Sequence, residues 1–226
     1  MTLMLTNDDG IDAPGIQALF QSINGQKTII AAPKDHQSGC GHQVTTNGAI
    51  NLQRRSENEY AIAGTPADCV RIATTHICPD IKFVLSGINA GGNLGVDAYI
   101  SGTVAAVREA ATQNIPGIAI SQYHKGTQTI DWDLAAKLTA EVLADLLPRF
   151  LAPGSFWNVN LPHLQPGDVH PQIVFCQPCT KPLPINYRID GDDFYYVGDY
   201  CQRDRTPGGD VDVCFSGNIA VTHLRV

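Results

Sequence analysis

The sequence predicts an α/β protein built on a mostly parallel sheet with helices on both faces. Three observations carry that expectation. Short apolar runs alternate with amphipathic helical patterns through residues 1–161, the order that produces βαβ units. The segments after the apolar runs are rich in Gly, Asn, Asp and Ser, residues that shape turns and ligand loops. The 226 residues suffice for one full hydrophobic core with a sizeable appendage.

The elements follow in order. Leu3-Met4-Leu5 is a short strand, and Asp12-Ala13-Pro14 marks a helix start with Ile16, Leu19, Phe20 and Ile23 at helical spacing. Residues 28–32, Thr-Ile-Ile-Ala-Ala, form a second buried strand that Pro33 ends, completing β-α-β. Thr65-Pro66-Ala67-Asp68 combines a cap, a proline at the first helical position and an early acid, with Cys69, Ile72, Ala73 and His76 on one face. Ile81 to Leu85 is a strand, and a polar turn is expected from Ser86 to Gly95. A helix spans Ser101 to Ala111, a strand Gly117 to Ser121, and residues 122–130 form a loop. Asp131 caps a helix through Leu134, Leu138, Val142, Leu146 and Leu147 that Pro148 stops, and Trp157 to Leu161 closes the alternating series.

From residue 162 the chain becomes Pro-rich and aromatic, with β-like runs at Ile173 to Cys176, Phe194 to Val197 and Asn218 to Leu224. The expectation is a catalytic α/β domain over 1–161 and a β-rich extension over 162–226, whose hairpins reach outward into a partner subunit. No internal repeat or low-complexity tract interrupts this plan.

Fifteen basic side chains against 22 acidic give a net charge of -7, which argues against binding duplex nucleic acid or anionic lipid. A small anionic substrate stays compatible, because a bound metal reverses the local field. No apolar run has the length of a membrane span, and residues 1–10 lack the pattern of a secretion signal; a cytoplasmic protein is expected. The odd count of seven cysteines fits reduced thiols. Cys176 and Cys179 form a C-x-x-C, but Cys201 and Cys214 supply no second pair for zinc, and Pro178 and Pro182 replace the helix a redox motif would open.

The chemistry-bearing segments all follow strands, at the carboxyl edge where open α/β sheets bind ligands. Asn7-Asp8-Asp9-Gly10 sets two adjacent carboxylates at the end of the first strand. They are hard oxygen ligands for a Mg²⁺- or Mn²⁺-class ion, or else a solvated turn. The loop Lys34-Asp35-His36-Gln37-Ser38-Gly39-Cys40-Gly41-His42 offers a hydroxyl at Ser38, glycines that admit backbone amides to a phosphate, and two histidines. Ser86 to Gly95 contributes Asn89, Asn93 and four glycines. Ser101-Gly102-Thr103 opens a helix, a phosphate cradle or a simple cap. Walker, zincin and nucleophile-elbow signatures are missing, and Gly39-x-Gly41 lacks the third glycine of a dinucleotide fingerprint, which counts against an oxidoreductase.

Asn7-Asp8-Asp9-Gly10, Ala13-Pro14-Gly15-Ile16, Ala32-Pro33 with Ser38-Gly39, Gly64 to Val70, Ser86 to Gly91 with Asn93-Leu94-Gly95, and Ser101 to Val104 together resemble the SurE family over residues 1 to about 121. Weaker echoes lie in Asn158 to Pro162 and in Gly209-Asp210 to Leu224. The resemblance implies a Rossmann-like sheet and a metal-dependent phosphatase acting on 5'- and 3'-mononucleotides. It implies a Mg²⁺ or Mn²⁺ ion on Asp8, Asp9, Ser38 and Asn89, with Asp8 and Asp9 as catalytic residues. Asn7, Gly39, Asn93, Ser101, Gly102 and Thr103 are the substrate-binding candidates, and the resemblance also implies a homodimer or homotetramer joined by exchanged C-terminal elements. Ile100 stands where the family usually has tyrosine, Arg108-Glu109 where Met-Glu-Gly is common, and Lys34 to Gln37 where an arginine-bearing run is usual. A non-catalytic nucleotide-binding or regulatory protein could keep the same pocket.

Overall fold

The computed structural model describes residues 1–23, 25–126 and 128–226, so the 122–130 loop is described except at Thr127. In chain order the strands and helices are β1 (Thr2–Thr6), α1 (Pro14–Gln21), β2 (Thr28–Pro33), β3 (Leu52–Arg54), β4 (Glu59–Ile62), α2 (Pro66–Ile72), β5 (Ile81–Ala90), α3 (Gly102–Thr112), β6 (Gly117–Gln122), α4 (Trp132–Leu146), β7 (Ser155–Leu161), β8 (Ile173–Phe175), β9 (Tyr187–Asp190), β10 (Asp193–Tyr196), α5 (Asp210–Phe215) and β11 (Ile219–Arg225). The main sheet runs β3-β4-β2-β1-β5-β6-β7-β11-β8. Neighbours from β4 to β7 are parallel, whereas β3 and β11 run antiparallel to β4 and β7.

Strand alternation sorts the core onto two faces. Leu3, Leu5, Leu85, Ile118 and Ile120 pack with Ile16 and Leu19 of α1 and Leu138 and Val142 of α4. Met4, Val84 and Ala119 pack with Cys69 and Val70 of α2 and Val104 and Val107 of α3 on the other face. The helices form as their ends dictate. Thr65 and Asp68 make a reciprocal capping box ahead of α2, and Asp131 accepts from the Leu134 amide at 2.9 Å to start α4. At α1 the cap position is Ala13 without a side-chain bond; Asp12 instead pairs with Arg55.

Two expectations change. The polar run after Leu85 is not a turn from its start, because β5 continues to Ala90 with a register shift against β6 between Ser86 and Asn89. Gly87 makes this continuation feasible: its φ is +143°, and a Cβ there would stand 2.3 Å from the Ile120 carbonyl oxygen. The segment after residue 162 also divides. The hairpin β9-β10 forms its own two-stranded sheet, while β11 and β8 extend the main sheet beyond β7 and a helix, α5, precedes β11. The apolar run of 218–224 is indifferent to partner; ladder bonds to β7 bury Ile219, Ala220 and Val221 and settle the matter.

Candidate functional site

The ends of β1, β2 and β5 and the start of α3 meet at one edge. The Asn7 amide donates to the Gly10 carbonyl at 2.7 Å and the Ile11 amide to the Pro33 carbonyl at 2.8 Å, so the turn after β1 is braced against β2. Asp8 is 5% exposed. Its Oδ1 accepts from the Thr103 hydroxyl at 2.5 Å, and its backbone carbonyl accepts from the Gln37 amide at 2.7 Å. Asp9 accepts the Ala90 amide at 3.0 Å on one oxygen, and His36 Nδ1 lies 3.6 Å from the other.

Helix α3 can approach because residue 102 is glycine. A Cβ at Gly102 would sit 2.9 Å from Asp8 Cβ and Oδ2 and 3.1 Å from Cys40 Sγ. The helix N-terminus therefore lies directly on Asp8, with its unpaired amides and positive dipole end facing the carboxylates. Burial pushes the Asp8 carboxyl above its ordinary range; the Thr103 hydrogen bond opposes this and the neighbouring charge of Asp9 reinforces it. Among the described residues no lysine or arginine forms a salt bridge with either carboxylate. A buried carboxylate beside a partly buried one, with no lysine or arginine to offset them, fits a bound divalent cation. Asn7 Oδ1, buried and without a hydrogen-bond partner, adds an idle oxygen beside the pair.

The other candidates are distributed around this centre. Asn89, at the end of β5, donates its amide nitrogen to the Gly91 carbonyl at 2.8 Å, an orientation that leaves Oδ1 as an acceptor; its neighbour Ala90 holds Asp9. Ser38 is exposed and follows Gln37, whose amide is fixed on Asp8. Gly39, with φ +82° and no atom within 4 Å of a would-be Cβ, faces open space. Ser101 caps α3, its hydroxyl accepting from the Val104 amide at 3.1 Å. Thr103 bonds Asp8 and so orients the carboxylate. Asn93 is drawn inward: its amide donates to Ser121 at 2.8 Å, its backbone N–H to Asn160 at 2.7 Å, and its carbonyl accepts from Asn158 and Asn160.

Sequence reasoning missed Glu109. This buried carboxylate accepts from Arg71 Nε at 2.7 Å and lies 2.9 Å from His42 Nε2. Its spacing of seven residues from Gly102 puts it on the same helix face, a signal the sequence does carry. The contacts made through backbone atoms of Gln37 and Ala90 leave no such signal, since any residue type supplies them.

A mostly parallel sheet with acidic residues and a helix N-terminus gathered at its carboxyl edge defines an α/β protein of the Rossmann-like class. Comparison with known proteins makes the assignment specific. The chain belongs to the SurE family, the survival protein SurE model matching residues 3–182. It is 75% identical over 226 residues, all of both chains, to a Nostoc sp. protein named "Putative 5'-nucleotidase alr3139". It is 34% identical to "5'-nucleotidase SurE" of Methylobacterium radiotolerans, covering 100% of this chain and 93% of the relative. The crystal structure of the SurE protein from Aquifex aeolicus superposes with a TM-score of 0.85 at 28% identity, over 100% of this chain and 93% of that one.

Proposed function

We propose that the chain is a divalent-metal-dependent phosphatase that hydrolyses nucleoside monophosphates, 5'-nucleotides first and 3'-nucleotides as a second class, to nucleoside and phosphate. The observation that carries this reading is Asp8, buried under the N-terminus of α3, with the partly buried Asp9 beside it and no lysine or arginine salt-bridged to either among the described residues. The family's members named 5'-nucleotidase supply the substrate class.

Asp8, Asp9, Ser38 and Asn89 would hold Mg²⁺ or Mn²⁺, which when bound supplies a Lewis acid for the phosphoryl oxygens. Asp8 and Asp9 bring the negative charge and are held in place by Thr103 and the Ala90 amide. Free amides at the start of α3, from Ser101 to Thr103, together with the open backbone at Gly39, would steady the phosphoryl oxygens as charge builds. Asn7 and Asn93 would shape the substrate's surroundings, Asn93 by fixing the turn after β5 to β6 and β7. Water supplies the incoming oxygen, the P–O ester bond breaks, and the nucleoside leaves with its hydroxyl protonated.

The 162–226 segment would serve assembly. The hairpin leaves Tyr187, Ile189, Phe194 and Tyr196 more than half exposed, an apolar surface that a second copy in a homodimer or homotetramer would cover. Among the described residues no helix is long and apolar enough to cross a membrane, and the cytoplasm is the proposed compartment. The test is phosphate release from mononucleotides with Mn²⁺ or Mg²⁺ and with chelator. Metal-dependent turnover that is lost in Asp8→Asn supports the reading; nucleotide binding without turnover would replace it with a regulatory role.

A further inference from the structure

The loop carrying Ser38 has no helix or strand from Lys34 to Asn51, so its conformation rests on a few side-chain and backbone anchors. The Lys34 amide on the Ile62 carbonyl at 2.7 Å starts it, the Gln37 amide on the Asp8 carbonyl at 2.7 Å follows, and the Cys40 amide closes a turn onto the Gln37 carbonyl at 3.1 Å. The next is His42, whose Nε2 lies 2.9 Å from Glu109 Oε2. Beyond it, Thr65 donates to the Gln43 carbonyl at 2.7 Å, and Thr45 binds Asp68 with both its amide and hydroxyl, at 2.9 and 2.8 Å. Between Gln37 and His42 lie Ser38, Gly39, Cys40 and Gly41, the two glycines at φ +82° and +57°. A segment with two such permissive residues keeps one shape only if both its ends are fixed.

Glu109 is built to be a fixed end. Its side chain is 6% exposed and takes Arg71 Nε at 2.7 Å and Gln113 Nε2 at 3.4 Å besides His42. Burial opposes its charge, but hydrogen bonds from His42 and Arg71 outweigh that and hold the carboxyl down at about 2. The acceptor is thus ionised at neutral pH. Arg71 comes from α2, Glu109 from α3 and His42 from the loop, so one carboxylate joins three parts of the molecule.

We propose that Glu109 is a positioning residue that acts through His42 to hold Ser38 in place for the divalent cation. This rests on the reading that Asp8, Asp9, Ser38 and Asn89 bind that cation. The test uses the full chain, with amide hydrogen exchange on the metal-free protein and Mn²⁺ affinity by electron paramagnetic resonance. In Glu109→Gln and His42→Ala, the Gln37 amide should exchange at least about tenfold faster while the Ala90 amide on Asp9 is unchanged. Mn²⁺ affinity should fall about tenfold, the scale of an outer-shell loss. His42→Gln keeps a donor of similar reach and should restore both.

Unchanged Gln37 exchange and Mn²⁺ affinity in His42→Ala would overturn the proposal, as would equal acceleration at Gln37 and Ala90, which is general loosening. If Glu109→Gln does not fold, the His42→Ala and His42→Gln pair decides. If the wild-type protein binds no Mn²⁺, the metal reading fails by itself, and a Gln37 amide that stays protected in His42→Ala would then reject the anchor too.

Discussion

Two buried carboxylates near helix α3 show opposite designs. Asp8 lies under the helix N-terminus with Asp9 beside it and the Thr103 hydroxyl as its hydrogen-bond donor, and its proton affinity is raised. Glu109, two turns further along, has Arg71, His42 and Gln113 around it, and its proton affinity is strongly lowered. The two are almost equally inaccessible, at 5% exposure each. Burial therefore does not distinguish these two acids; the supply of cationic partners does. A carboxylate fully supplied by its own chain holds elements together, and on the proposed reading the one left short of positive charge takes the cation.

Substitution should separate the two most sharply. Asp8→Asn should cut metal-dependent phosphate release on the order of a thousandfold, the several kcal/mol of transition-state stabilisation a Lewis-acid ion provides. The metal-free protein should melt at the same temperature or higher, since a poorly compensated buried charge has been removed. A large fall in melting temperature would make Asp8 structural and erase the contrast. Glu109→Gln should instead destabilise the fold by about 2 kcal/mol, through weakening of the charge-assisted hydrogen bonds to Arg71 and His42. Chemical denaturation with an unchanged m-value would measure it.

The pH dependence sharpens the same comparison because the signs oppose. The Glu109 carboxyl sits lower in the folded state than in the unfolded chain, so its stabilisation is complete above the ordinary value of 4.5 and is lost as pH falls toward about 2. Asp8 sits higher when folded, so the metal-free protein loses stability as pH rises from the ordinary 3.8 through the raised value. Stability curves of Glu109→Gln and Asp8→Asn should each lack one of these slopes. The smallest effect is expected from Thr103→Val, which removes the hydroxyl bonded to Asp8 and should cost about tenfold in turnover at limiting metal, a charge-assisted bond being worth about 1.5 kcal/mol or more.

Much of this architecture is legible in the residues themselves. The strand at Leu3 to Leu5, the capping box at Thr65 and Asp68 and the Asp131 cap are local patterns, and local patterns survive folding. That Asp8, Asp9 and Asn89 stand at the ends of neighbouring parallel strands was also readable, because each follows or ends an apolar run and parallel strands share one edge. What escaped depends on distant partners. The extension of β5 past Ser86 needs the β6 ladder, the insertion of β11 needs β7, and Asn93 turns inward because Ser121, Asn158 and Asn160 await it. The spacing of Glu109 from Gly102 marks its helix face, but its partners Arg71 and His42 come from distant segments and only the fold brings them together.

Mn²⁺ binding to the wild-type chain and to Asp8→Asn, followed by electron paramagnetic resonance, tests the central claim most directly. One tightly held ion in the wild type, lost in the variant with its fold intact, is the result expected of a site formed by Asp8, Asp9, Ser38 and Asn89. Equal Mn²⁺ uptake by both proteins, or none by either, would contradict it.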